Sequence, residues 1–271
     1  MSQFSYSDFE IYDAHAHIFP EKISEKAAAA IGVFYDIPMY TSGSSARLLD
    51  EEAKINTRRC LVCSTATVVD QVVPINTFIR SECDAHPEFF GFGTLHPDMT
   101  QDEAGAEVDR IISLGLHGVK FHHDFQKFDI DSPEAYKLYE IVGGRLPVLF
   151  HMGDNRYEYS KPKRLARAMK DFPQLQVMAA HFGGYKSWDE AEDNLTPSER
   201  LHFDTSSSLP FISAEHARRL ISHYGVESFF FGSDFPMWSP EKELERFFGI
   251  GLSYEDNKKI LADNFRQYFN L

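Results

Sequence analysis

Eight short apolar segments, rich in β-branched and aromatic residues, recur along this chain and constrain its fold more than any other feature. They begin at residues 11 ("IYDAHAHIF"), 60 ("CLVCSTA"), 89 ("FFGFGTLH"), 118 ("GVKFH"), 147 ("PVLFHMG"), 176 ("QVMAAHFGG"), 201 ("LHFDTSS") and 228 ("SFFFGSDFP"). From the second to the sixth, the starts are 29 residues apart each time, and the last two gaps are 25 and 27. That spacing is close to one β-loop-α-loop unit. Helix-period stretches fill the intervals at 103–115, 132–144, 161–173 and 213–225. Ser132 and Ser160 are placed to cap two of them ahead of Pro133 and Pro162, and Gly115, Gly143 and Gly225 to end three. Strands that read as continuous apolar runs belong to parallel sheets covered by helices. Eight units in 271 residues predict a single α/β domain over 1–271, a (β/α)8 TIM barrel. No glycine-rich dinucleotide fingerprint or phosphate loop follows any strand.

One interval breaks the rhythm. The first and second starts are 49 residues apart, which predicts an insertion after strand 1, with Tyr35, Tyr40 and Arg47 in or near it. Loops after barrel strands lie on the active-site face, so it is expected either as a lid or pocket wall, or as a surface loop packed by its own aromatics.

The polar residues of these segments gather at their C-terminal ends: His15 and His17, Lys120 and His122, His151, His181, Asp204 and Asp234. A closed barrel aims that end of every strand at one mouth, where catalytic groups collect. His15 and His17 share a face because strand side chains alternate with period two. Burying two imidazoles is costly unless something replaces their hydration. A metal does so, and imidazoles with a carboxylate suit a borderline ion such as zinc.

The formal charge of −14, from 27 basic and 41 acidic residues, argues against nucleic acid or an anionic membrane as partner and leaves a small molecule. "MSQFSYSDFE" lacks the pattern of a signal peptide, no run is as long as a membrane span, and three cysteines are too few for a disulfide framework. The expectation is a cytoplasmic protein with Cys60 and Cys63 as buried thiols.

The ordered set "DAHAHIF" (13–19), "GVKFHHDFQ" (118–126), "PVLFHMG" (147–153), "AAHFGG" (179–184), "FDTSS" (203–207), "FFGSDFP" (230–236) and "ILADNFRQYF" (260–269) resembles the amidohydrolase superfamily. Within it, the chain is similar to the amidohydrolase-related branch that includes aminocarboxymuconate-semialdehyde decarboxylase-like enzymes. The resemblance implies one divalent metal, Zn2+ before Mn2+, held by His15, His17, His151 and Asp234, with a binuclear site as the alternative. It implies that His181 is the acid/base residue and that Asp234 also moves a proton. Lys120 is implied to lie unmodified near the substrate, although in binuclear relatives such a lysine can be carboxylated. Relatives commonly carry proline where this chain has His123, which makes the loop after strand 4 a point of departure.

The implied activity is hydrolysis, with a metal-activated water attacking an amide, ester or lactone of a small, carboxylate-bearing substrate. The alternative is non-oxidative decarboxylation of an unsaturated or aromatic carboxylic acid. Lys120, Arg156 and Arg47 are candidates for the substrate carboxylate. His122, His96, Trp188 and Trp238 are candidates for the pocket wall, and Asp204 and Ser206 for supporting the ligands. Related barrels often form homodimers, and composition leaves the oligomeric state open.

Overall fold

A computed structural model describes residues 4–271. All eight predicted strands are present. They are β1 (Ile11–His17), β2 (Thr57–Cys63), β3 (Phe89–Gly91) with β4 (Gly93–Thr94), β5 (Val119–Phe121), β6 (Val148–Phe150), β7 (Val177–Ala179), β8 (Leu201–Asp204) and β9 (Phe229–Phe230). The third predicted strand forms two pieces interrupted at Phe92. Helices alternate with the strands, giving the expected (β/α)8 fold class. The insertion after the first strand takes the form of two helices, α1 (Glu21–Tyr35) and α2 (Ser45–Lys54), before β2.

The chain divides into two compact units. The first comprises 1–62, 85–90 and 204–271. In it β1 is laced to the segment after β9: Ala14 N–H donates to Phe231 O, His17 N–H to Phe235 O and Asp234 N–H to His15 O. Those bonds fix the end of β1 against the turn that carries Asp234. The joining loop of the insertion packs there too, with Phe19 N–H on Gly43 O and Tyr40 N–H on Pro236 O. A Cβ on Gly43 would meet the Phe19 ring at 2.6 Å, so the close approach requires glycine.

The second unit, 63–84 and 91–203, is built on β4 to β8 in sequence order. The strands run parallel with registers Thr94↔Lys120, Lys120↔Leu149, Leu149↔Met178 and Met178↔His202. Val119, Phe121, Val148, Leu149, Phe150, Val177, Met178 and Ala179 are all buried, which is why these strands show no polar alternation.

The helix ends follow the sequence at most positions. Ser132 Oγ accepts the Ala135 N–H, and Gly115, Gly143 and Gly225 all have positive φ. Ser160 departs from expectation. Lys161 is the cap of the helix Pro162–Asp171, and no side chain bonds that helix start. Ser160 instead turns inward to Asp124 and to the Gly153 carbonyl, partners that outcompete a solvent-exposed cap. Cys60 and Cys63 are buried free thiols. Among the described residues, no helix is long and apolar enough to cross a membrane.

Candidate metal centre

In the first unit the period-two alternation of β1 puts Asp13, His15 and His17 on one face. The His15 Nε2 and His17 Nε2 atoms lie 3.2 Å apart. Asp234 Oδ1 lies 3.7 Å from the first and 3.4 Å from the second. The two carboxylate distances are too long for good hydrogen bonds. Ligand atoms about 2.1 Å from a tetrahedral ion stand ~3.4 Å from one another. The three donors therefore have the spacing of ligands around one cation, and the residues fit a divalent metal.

The rest of this group holds the donors in place. His15 Nδ1 lies 2.9 Å from Asp204 Oδ2, which sets the tautomer that leaves the Nε2 lone pair available. Asp204 Oδ1 in turn accepts the Ser206 hydroxyl and the Ser206 N–H. Asp204 and Ser206 thus lie directly behind the His15 ring, on the side away from His17. Gly232 makes the approach possible, because an added Cβ would lie 3.2 Å from the Cβ atoms of His15 and Asp204.

Sequence reading missed two acids beneath this group. Asp13 Oδ1 accepts the N–H groups of His15 and Ser233, tying β1 to the residue before Asp234. Glu52 is buried beside it, and burial followed by the Asp13 charge pushes the Glu52 pKa well up.

The second unit carries another cluster. His151 Nδ1 lies 3.1 Å from His181 Nε2, and the His151 ring stacks on His122 at 3.8 Å. His122 is sandwiched, since Phe125 lies 3.6 Å from its other face. His151 Nε2 approaches Asp124 Oδ2 at 3.5 Å, and Ser160 Oγ is 2.5 Å from the same oxygen. Burial raises the Asp124 pKa to about 7, against the Ser160 hydrogen bond. Ligating atoms of His122, Asp124 and His151 lie within 4.8 Å of one another, a set able to hold a cation. Asp124 was not singled out from sequence; its position two residues after His122 was the available signal. His181 has φ +61° in a tight turn, and its carbonyl accepts the Trp188 indole N–H.

The remaining candidates have varied surroundings. Arg156 is held by Asp154 in a two-pronged pair, Nε to Oδ1 at 2.9 Å and Nη2 to Oδ2 at 2.6 Å. Arg47 pairs with Glu51 at 2.8 Å on α2, where Tyr40 Oη donates to the same carboxylate. Lys120 is fully buried on β5. His96 is buried and its Nδ1 accepts the Asp98 N–H. Trp238 Nε1 donates to Ser207 Oγ. His123, the residue in the proline position, faces the core among Phe121, Phe128 and Phe150 and bonds Tyr139 Oη at 3.1 Å. Burial, then the Lys120 charge, keeps it neutral.

A family model described as amidohydrolase matches residues 12–271. Solved structures similar in fold include the following three. A 5-carboxyvanillate decarboxylase from Sphingomonas paucimobilis is 15% identical with a TM-score of 0.74, covering 97% of this chain and 99% of that one. A dihydroxybenzoic acid decarboxylase from a Polaromonas species, with bound manganese and the inhibitor 2-nitroresorcinol, is 14% identical with a TM-score of 0.74, covering 97% of each chain. A "probable 2-pyrone-4,6-dicarboxylic acid hydrolase" from Acinetobacter baumannii, with citric acid bound, is 15% identical with a TM-score of 0.71, covering 97% of this chain and 100% of that one. No curated protein matches the chain.

Proposed function

Because the chain belongs to the amidohydrolase family, we propose that it is a metal-dependent decarboxylase of a small aromatic or unsaturated carboxylic acid, acting as one catalytic domain. The observation that carries the metal half of this reading is the triangle of His15 Nε2, His17 Nε2 and Asp234 Oδ1, with edges of 3.2, 3.7 and 3.4 Å. Two imidazoles and one carboxylate are a donor set for zinc before manganese. When bound, such an ion supplies a Lewis acid for substrate oxygens and can activate water.

The chain's own groups do the rest. His181 delivers a proton to the carbon that bears the carboxylate. The new C–H bond forms there, the C–C bond to the carboxylate then breaks, its electron pair restores the conjugated system, and carbon dioxide leaves. Asp234 exchanges the proton that resets the site. Arg156 is our first choice for orienting the substrate carboxylate, because its guanidinium is partly exposed whereas Lys120 is not. His122 is stacked between Phe125 and His151 and offers only its ring edge, whereas Trp238 supplies a flat face for an aromatic ring; Arg47 on α2 is a further candidate for the carboxylate.

Hydrolysis of a carboxylate-bearing lactone is the second reading, favoured by the likeness to the pyrone dicarboxylic acid hydrolase. The first is supported by the likeness to decarboxylases, which outnumber hydrolases among the similar structures of named activity, and it reverses the order expected from sequence. The test is incubation of the zinc- or manganese-loaded protein with hydroxybenzoates, unsaturated acids and lactones in deuterated water. Decarboxylation gives carbon dioxide and one deuterium at the vacated carbon, and His181→Asn abolishes both. Ring opening of lactones without carbon dioxide establishes the hydrolase instead.

A further inference from the structure

The Asp234 carboxylate has two ends, and only one faces the histidines. Its Oδ2 accepts the Ser207 hydroxyl at 2.5 Å. Ser207 Oγ in turn accepts the Trp238 indole N–H at 2.9 Å. A hydroxyl has one proton, and Trp238 can only donate. The direction of the chain is therefore fixed: indole N–H to Ser207 oxygen, Ser207 proton to Asp234.

Both ends of this relay are packed against neighbouring groups. Ser207 and Asp234 each adopt a left-handed backbone, at φ +52° and +58°, and both are buried. The Trp238 ring is gripped by Phe211 edge-on at 6.1 Å and by the Arg246 guanidinium 5.4 Å from its centroid. Arg246 is itself paired with the buried Glu243. The neighbouring serine, Ser206, is already committed to Asp204.

We propose that Ser207 and Trp238 are positioning residues for the metal ligand Asp234, a hydrogen-bonded relay that fixes the carboxylate so that Oδ1 faces the two histidine Nε2 atoms. This rests on the reading of Asp234 as a ligand. The relay lowers the freedom of the carboxylate before the ion arrives, so its removal weakens metal binding in the absence of substrate. Loss of an outer partner of this kind costs about 10- to 100-fold in affinity.

The experiment is Zn2+ competition against a chromophoric chelator, without substrate, for wild type, Ser207→Ala, Trp238→Phe, the double variant and Asp234→Ala. Trp238→Phe keeps an aromatic ring and removes the N–H. The relay predicts about 10-fold or greater weakening with Ser207→Ala and a smaller loss with Trp238→Phe. It also predicts less than about twofold further loss when Trp238→Phe is added to Ser207→Ala, because the two act in series. Affinity within about twofold of wild type for both single variants, or fully additive losses, overturns it. If Ser207→Ala does not fold, Trp238→Phe alone decides between these outcomes. Unchanged affinity in Asp234→Ala refutes the ligand assignment itself, a result distinct from failure of the relay.

Discussion

At His15 the two ring nitrogens have separate roles. Nδ1 meets the Asp204 carboxylate at 2.9 Å, and Nε2 faces His17 and Asp234. A carboxylate behind a ligating imidazole fixes its tautomer and raises its basicity. Replacing Asp204 with Asn is therefore expected to weaken zinc binding about 10- to 100-fold while leaving the fold intact; chelator competition alongside circular dichroism reads both. His123 makes a different case. Its Nε2 bonds Tyr139 Oη inside an aromatic cluster. Tyr139→Phe leaves that nitrogen without the hydroxyl and should cost about 1–2 kcal/mol, seen as a lower urea midpoint at unchanged slope. The histidines, Asp204 and Asp234 were legible in sequence because polar residues in apolar strands stand out. Asp13, Asp124 and Ser207 were not, because an acid or a serine near a strand end resembles an ordinary turn residue.

Individual elements carry the chemistry through the backbone at strand ends. Gly153, two residues past His151, has φ +91°, and an added Cβ would stand 2.3 Å from both the N and the O of Tyr185. Gly153→Ala combines left-handed strain with a backbone clash and is expected to destabilise by about 3 kcal/mol or more. A thermal or urea unfolding curve checks it, and a change below about 0.5 kcal/mol would mean that the two segments are not this close. Element positions were read well from the 29-residue rhythm because most strand residues are buried on both faces and so give a continuous apolar signature. The Ser160 cap was misread because a Ser-x-Pro pattern describes only local preference. The buried carboxyl of Asp124, 36 positions earlier, claimed the hydroxyl. Arg156 shows the same limit: its pairing with Asp154 two residues before follows from a left-handed turn at φ +85°, not from any periodic pattern.

The whole chain is a metal-dependent enzyme of the amidohydrolase family, and its stability depends on histidines buried without charge. Burial lowers the His202 pKa from 6.5 to about 4. A depressed basic group binds fewer protons folded than unfolded between those two values, so its contribution is complete above pH 6.5 and is lost as pH falls towards 4. At about 1.4 kcal/mol per pKa unit, the complete loss is on the order of 3–4 kcal/mol. His202→Leu should therefore flatten the fall in unfolding free energy between pH 7 and pH 5 relative to wild type, measured in urea. Equal slopes in the two proteins would remove His202 from this account.

The most direct test of the metal centre is the ion content of the purified, metal-loaded chain, compared among wild type, His17→Ala and His181→Asn. One divalent ion per chain in wild type and in His181→Asn, with most of it lost from His17→Ala, is the result expected from a single ion held by His15, His17 and Asp234. Two ions per chain, or loss of the ion from His181→Asn with retention in His17→Ala, would contradict it.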